Sequence, residues 1–498
     1  MSLFLVTIPR GNLFYHGCQT SDRIAGFEWL AFEPEHAGPF GSSWEMRNPP
    51  DGPPPTPPEE VQRVFTDRTE LRIPPYPPPG RGPPRGPQRG YVHTYKAARD
   101  LRILYTDGQA AAKGQLGTLD TQDLIILMDK NMSDPHRFGE HERAQRLCDY
   151  AQKLRFDGVL RTEAGFEIIY CTFEEGGGLD LVSVVGSPFQ NETTSELRQN
   201  GFEWIRAVTQ RYHGHEADRA IVDFSSMVSA FWYPVNRTNP DTSRPDLPRL
   251  VNASTEGRRA LFNRVTELAL SRPAVVNSIH WQAVADRIEN LFGPRLTSLA
   301  DPAATTPVLR RLLDSILNIF IDFSQPTALR EDKIRTCSHW HLQRPLDSFT
   351  SWTDEDKLIF ESFAAVTDRI CRSLFALRDS LDLDTSAAQA EISELISWLG
   401  WTRWRGCGGR TCADPNQICL VSSSLLKGEA SKLMHSPRSQ CSLPVRLRIT
   451  GILGARMKRN FRIVEGTGET GSHGLLELGE YESSRPERKC LDRSSLRK

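Results

Sequence analysis

Hydrophobic and polar positions along the chain fall into two regimes that meet near Pro188. Before it, apolar residues come in short aromatic or β-branched runs at 12–16, 27–32, 91–95, 101–105, 124–127, 158–160, 167–173 and 179–185. Runs of this length between turn formers predict strands. One helix interrupts them, because Ala144, Leu147, Cys148, Ala151 and Leu154 keep the spacing of a single buried face over 140–154. After Pro188 the period is helical, at 197–212, 256–270, 281–299 and 307–323. The longest helix is predicted to start at Thr353, an N-cap followed by Asp354, Glu355 and Asp356, whose carboxylates suit the positive helix end. Its stripe is Leu358, Ile359, Phe363, Val366, Ile370 and Leu374, and a last helix over 387–399 stops at Gly400. The pattern predicts an α+β chain: a mixed α/β domain over residues 1–188, then an all-α domain over 190–400.

Composition adds a discontinuity. Fifteen of the 34 prolines lie between Pro49 and Pro87. Fixed φ angles and missing donors keep such a tract out of a core, so residues 41–89 read as a disordered, proline-rich surface insertion. Such a segment suits an aromatic-grooved partner domain, and an unconstrained loop is the plainer reading. From Val445 to Lys498 there are 12 Lys/Arg against 7 Asp/Glu with few apolar periods, and residues 442–498 read as a basic, disordered tail.

Over 498 residues, 61 Lys+Arg face 62 Asp+Glu, and the formal net charge is -1. No global field draws such a chain to nucleic acid, so a dedicated nucleic-acid binder is not expected. Hydrophobic residues at 38% and charged residues at 25% describe a globular protein. No apolar run reaches the roughly 18–20 residues that span a bilayer. The opening Met1-Ser-Leu-Phe-Leu-Val-Thr-Ile-Pro9 lacks the basic flank and full apolar stretch of a signal peptide, which points to the cytoplasm. Four sequons, at Asn131, Asn191, Asn236 and Asn252, and four clustered cysteines in a Cys-rich segment over 401–441 suit a secreted protein instead. Cys407, Cys412, Cys419 and Cys441 lack paired zinc-knuckle spacing, so disulfides are expected there rather than metal. The His213/His215 and Cys337/His339/His341 groups match no known ligand spacing, and no metal ligand is assigned. Asp120 and Asp123 read as a turn with solvated carboxylates, with cation binding as the alternative. The run from Gly108 to Gly114 lacks the second Gly and the hydroxyl of a phosphate loop.

Three pieces of the first domain invite a joint reading: Phe14-Tyr15-His16-Gly17, the segment from Trp29 to Ala37, and Gly165-Phe166-Glu167-Ile168-Ile169. A strand ending in His-Gly sets a ring donor beside a position without a side chain, where a ribose or amide can approach the backbone. A later strand opening with Glu can grip a ribose hydroxyl and stabilise charge at an anomeric carbon. The arrangement resembles the ADP-ribosyltransferase superfamily, especially its His-Tyr-Glu branch. Cys18 stands where that family has Thr, and Trp29 and Phe32 stand where it has a stacking Tyr.

The resemblance implies a split sheet, NAD as substrate, His16, Gly17, Trp29 and Phe32 as NAD-binding residues, and Glu167 as the catalytic carboxylate. It implies an NAD-dependent ADP-ribosyltransferase or NAD glycohydrolase, with protein, small molecule or water as acceptor. That reading requires His16 and Glu167 to face one cleft. The whole chain also resembles a group of uncharacterised filamentous-fungal proteins, through phrases such as Gly117-Thr-Leu-Asp-Thr-Gln-Asp123. The alternative is a non-catalytic accessory or interaction protein with a protein partner, associated through that fungal likeness with specialised-metabolite biosynthesis.

Overall fold

The computed structural model describes residues 1–44, 88–190 and 219–405, apart from 109, 112–116, 131–138, 163–165, 246, 273–278, 326–328 and 382–384, together with two short strands at 417–419 and 490–492. Most of the proline-rich insertion, the helix expected over 197–212, the sequons at Asn131 and Asn191, His213 and His215, most of the Cys-rich segment and almost all of the tail lie outside the described residues.

Nine strands form one sheet: β1 (Ser2–Ile8), β2 (Leu13–Cys18), β3 (Glu28–Ala31), β4 (Tyr91–Ala97), β5 (Leu101–Thr106), β6 (Gly158–Thr162), β7 (Phe166–Tyr170), β8 (Leu179–Gly186) and β9 (Ile221–Ser229). Their order is β9-β1-β5-β6-β7-β3-β2-β4-β8, with only β5 and β6 parallel. The ladder nearly breaks between β2 and β3, which share the single pair Tyr15↔Ala31. On one side β3 pairs along its whole length with β7, and on the other β2 pairs along its whole length with β4. A six-stranded wing and a three-stranded wing therefore meet at one bridge.

Helices cover both faces. Against Leu5, Leu104, Val159 and Ile169 lie α2 (Glu140–Lys153) and α3 (Thr255–Ser271), following the short α1 (Pro34–Ala37) in the chain. Against Phe4, Val6, Phe224 and Met227 lies a helical layer of α4 (Trp281–Leu299), α5 (Thr306–Leu317), α6 (Arg330–His339), α7 (Asp354–Ser380) and α8 (Thr385–Leu399). The expected N-cap of α7 closes as a full capping box: Asp356 N–H donates to Thr353 Oγ1 and Thr353 N–H to the Asp356 carboxylate. Among the described residues no helix is long and apolar enough to cross a membrane.

Several expectations change. The sheet does not end at 188, because β9 from the region expected to be helical completes it beside β1. The apolar run at 124–127 belongs largely to a π-helical turn, Thr121–Ile126, rather than a strand. The helix expected to reach 323 ends at Leu317 and tightens into a 3-10 turn. The disulfides of the described residues join Cys148 to Cys171 and Cys337 to Cys371. Cys337 is thereby removed from any ligand set with His339 and His341.

Candidate functional site

His16 is buried on β2 directly opposite His93 of β4, with ring centroids 6.3 Å apart. Its Nδ1 lies 2.7 Å from the Trp29 carbonyl oxygen. A carbonyl only accepts, so Nδ1 carries a proton, and in the neutral ring Nε2 is the bare nitrogen. Burial lowers the His16 pKa, the Trp29 carbonyl opposes this and His93 adds to it. His93 in turn donates from Nε2 to the Thr20 carbonyl at 2.8 Å. The half-buried Cys18 and the fully buried Tyr95 continue this row at alternate positions, and burial raises both of their pKa values.

Gly17 has a different neighbour from the one expected. A Cβ there would lie 2.0 Å from the Ala37 carbonyl oxygen and 2.6 Å from the Gly41 nitrogen. The space beside it is filled by the segment that follows β3. Trp29 points to the other sheet face, where it packs near Phe27 with centroids 6.2 Å apart. Phe32 is a core ring at 2% exposure, edge-on to Phe14, with the Arg219 guanidinium 5.1 Å above it. Neither aromatic presents a free face beside His16.

Glu167 stands across one line with Ala31 and Tyr15 on one side and Arg161 on the other. Side chains alternate along a strand, so His16, one residue after Tyr15, points to the opposite face. The packing agrees: His16 touches Phe173 among the residues of the helical layer's core, whereas Glu167 lies under α2 and the π-helical turn. The structure does not bring His16 and Glu167 to one cleft.

What surrounds Glu167 is a buried ion network. Arg161, at 0% exposure, donates to Glu167 Oε1 at 2.5 Å, to Glu140 Oε1 at 2.6 Å and to Gln122 Oε1 at 3.3 Å. The other Glu140 oxygen accepts from Arg143 at 2.8 Å, and Arg143 clasps Asp123 through two bonds of 2.7 and 3.0 Å. Burial opposes the charge on Arg161, yet Glu140 and Glu167 hold its pKa above the ordinary guanidinium range. Burial pushes the Asp123 carboxyl up against the pull of Arg143. Asp120 is likewise buried and holds Arg249 at 2.9 Å, so the expected solvated turn is instead an anchored one. Among the described residues no group of three His, Cys, Asp or Glu is arranged to hold a metal ion.

Sequence reasoning missed Arg161 and Arg143. The signal was present as charge inside apolar patterns: Arg161 interrupts a fully buried strand, and Arg143 lies on the Leu147–Ala151 stripe of α2.

Fold and network together define a mixed α/β protein whose nine-stranded sheet nearly divides between two wings and is locked from one face by paired charges. Residues 79–198, which carry β4 to β8 and the whole network, match the family model of the YPL277C N-terminal domain. The chain is 26% identical over 510 residues to the uncharacterised protein YOR389W of Saccharomyces cerevisiae, covering 85% of this chain and 78% of that one. It is 36% identical over 197 residues to the uncharacterised protein YPL277C of the same organism, covering 37% and 38% of the two chains. No solved structure matches the chain.

Proposed function

We propose that this chain is a non-catalytic accessory or interaction protein, and that His16, Gly17 and Glu167 serve its architecture. One observation carries the reading: His16 and Glu167 lie on opposite faces of the sheet, and Glu167 is already ion-paired to Arg161. A carboxylate held by a buried guanidinium is not available to a ribose on the other face. An interaction role is also supported by Ile319, Phe323, Leu329, Trp340, Leu346 and Phe349, all exposed within one stretch of the helical layer.

A second reading is favoured by the single-bridge junction of β2 and β3. It supports an ADP-ribosyltransferase-like split sheet and hence an NAD-cleaving transferase or glycohydrolase. Its carboxylate would then come from the His16 face, where register sets Glu28, a side chain whose pKa is raised by burial.

Incubating the purified chain with NAD and measuring released nicotinamide separates the two. Background release from the wild type and from Glu167→Ala is the expected result. Release that Glu167→Ala abolishes overturns the non-catalytic reading. Release that persists in Glu167→Ala and is lost in Glu28→Gln establishes the second.

A further inference from the structure

We infer that Asn236 and Asn252 form a paired N-glycosylation site on a chain that matures in an oxidising secretory compartment. Both asparagines head sequons, Asn236-Arg-Thr238 and Asn252-Ala-Ser254, and both are exposed. Both lie in the connection between β9 and α3, and the fold brings them together: the Asn252 side-chain amide donates to the Thr238 carbonyl at 3.3 Å. The Asn236 amide oxygen accepts from the Thr238 N–H at 2.9 Å, which turns its nitrogen away from the backbone.

The loop beneath is held by Arg237, which donates to the carbonyls of Ala230, Tyr233 and Val235 at 2.8, 3.1 and 3.2 Å. Glycans would therefore stand on a fixed platform. Asn239 supplies the internal contrast. It is followed by Pro240 rather than a sequon, is 9% exposed, and commits its amide nitrogen to the Arg244 carbonyl at 3.0 Å. Of these three asparagines, the two that head sequons are the two that are exposed, and the longer Asn252 bond to Thr238 lies at the surface rather than in a part-buried turn.

The cysteines point to the same compartment independently. Cys148–Cys171 and Cys337–Cys371 are both bridged, and lasting structural disulfides belong to oxidising surroundings. Each bridge passes two electrons and two protons to a disulfide-bearing oxidoreductase by thiol exchange. In glycosylation, the asparagine Nδ2 bonds to the anomeric carbon of an oligosaccharide carried on a polyprenyl diphosphate. The anomeric C–O bond breaks, the diphosphate leaves with the electron pair, and the amide nitrogen loses one proton to the medium.

The test is made on the full chain isolated from cells that produce it. Amidase treatment that releases N-glycans converts each carrier asparagine to aspartate, which peptide mass spectrometry locates, while thiol labelling without reductant reads the four cysteines. Aspartate at both 236 and 252, with all four thiols blocked, is expected. Asn236→Gln and Asn252→Gln should each remove one glycan-sized step in gel mobility, and Ser254→Thr, which keeps both the sequon and the N-cap hydroxyl of α3, should remove none. Unmodified asparagine at either position, or free thiols at the four cysteines, overturns the inference.

Discussion

Gly17 shows how far a single residue can be read from sequence. That something approaches the backbone at this position was expected from His16-Gly17, with a ribose or amide as the expected neighbour. What approaches it was not legible, because the partner comes from the far side of β3. The structure puts backbone there, the Ala37 oxygen and the Gly41 nitrogen, and backbone cannot swing aside as a side-chain tip can. Gly17→Ala is therefore expected to lower stability by about 1–3 kcal/mol through overpacking, read as a fall in the thermal midpoint. An unchanged midpoint would mean that the 37–41 segment is not seated on β2. Arg161 is the converse case, legible as an anomaly without an assignable partner. Replacing it alone strands Glu167 in a buried setting and leaves Glu140 with Arg143 as its remaining guanidinium partner, and Arg161→Met should cost about 3–5 kcal/mol in urea denaturation. Adding Glu140→Gln and Glu167→Gln to it should recover much of that loss, since the harm comes from unpaired charge rather than from the missing side chain. No recovery would show that Arg161 acts through packing alone.

At the scale of elements, what was legible followed periodicity. The helix over Glu140–Lys153 and the capped start of α7 carry long amphipathic patterns, and the structure forms both within a residue or so of expectation. The misreadings are short apolar runs. β1 is buried at all seven positions, so the in-and-out alternation that marks a strand is absent. The run at 124–127 has too few residues to separate a helical period from a strand period. Disulfide partners were not legible for another reason: Cys148 joins α2 to the end of β7, and Cys337 joins α6 to α7. Both are contacts of packing, not of sequence clustering. The α6–α7 bridge closes a separation of 34 residues, for which loop-closure entropy suggests about 4 kcal/mol. The double variant Cys337→Ala/Cys371→Ala should lower the denaturation midpoint accordingly. Reductant should lower the wild type by more than it lowers this variant, because it cuts both bridges in the wild type and only Cys148–Cys171 in the variant.

At the scale of the whole molecule, the question is whether the helical layer and the sheet fold as one unit. The expected border near 188 implied two separate domains, whereas β9 carries the sheet past it and into contact with the helices. The junction centres on Asp356, 2% exposed. One of its oxygens accepts from Ser225 Oγ of β9 and from Trp281 Nε1 of α4, both at 2.7 Å. The other accepts from the Thr353 N–H at 2.9 Å in the capping box of α7. A single carboxylate thus ties the sheet edge, the first helix of the layer and its longest helix. Two ion pairs flank it, Arg264 with Glu355 and Arg272 with Asp223, both joining α3 or its C-cap to the same corner. Coupling of this kind predicts one calorimetric transition for the wild type. Asp356→Ala removes a cap and leaves Ser225 and Trp281 without their acceptor in a dry setting, a loss of at least about 3 kcal/mol. Because that loss falls at the junction rather than inside either layer, the expected result is that the transition separates into two, the sheet and the helices melting apart. Asp356→Asn, which keeps an acceptor oxygen for the β9 and α4 donors, should shift the transition without splitting it. A lowered but still single transition in Asp356→Ala would show that the apolar contacts of Phe224 and Met227 with the helical layer carry the coupling without the carboxylate.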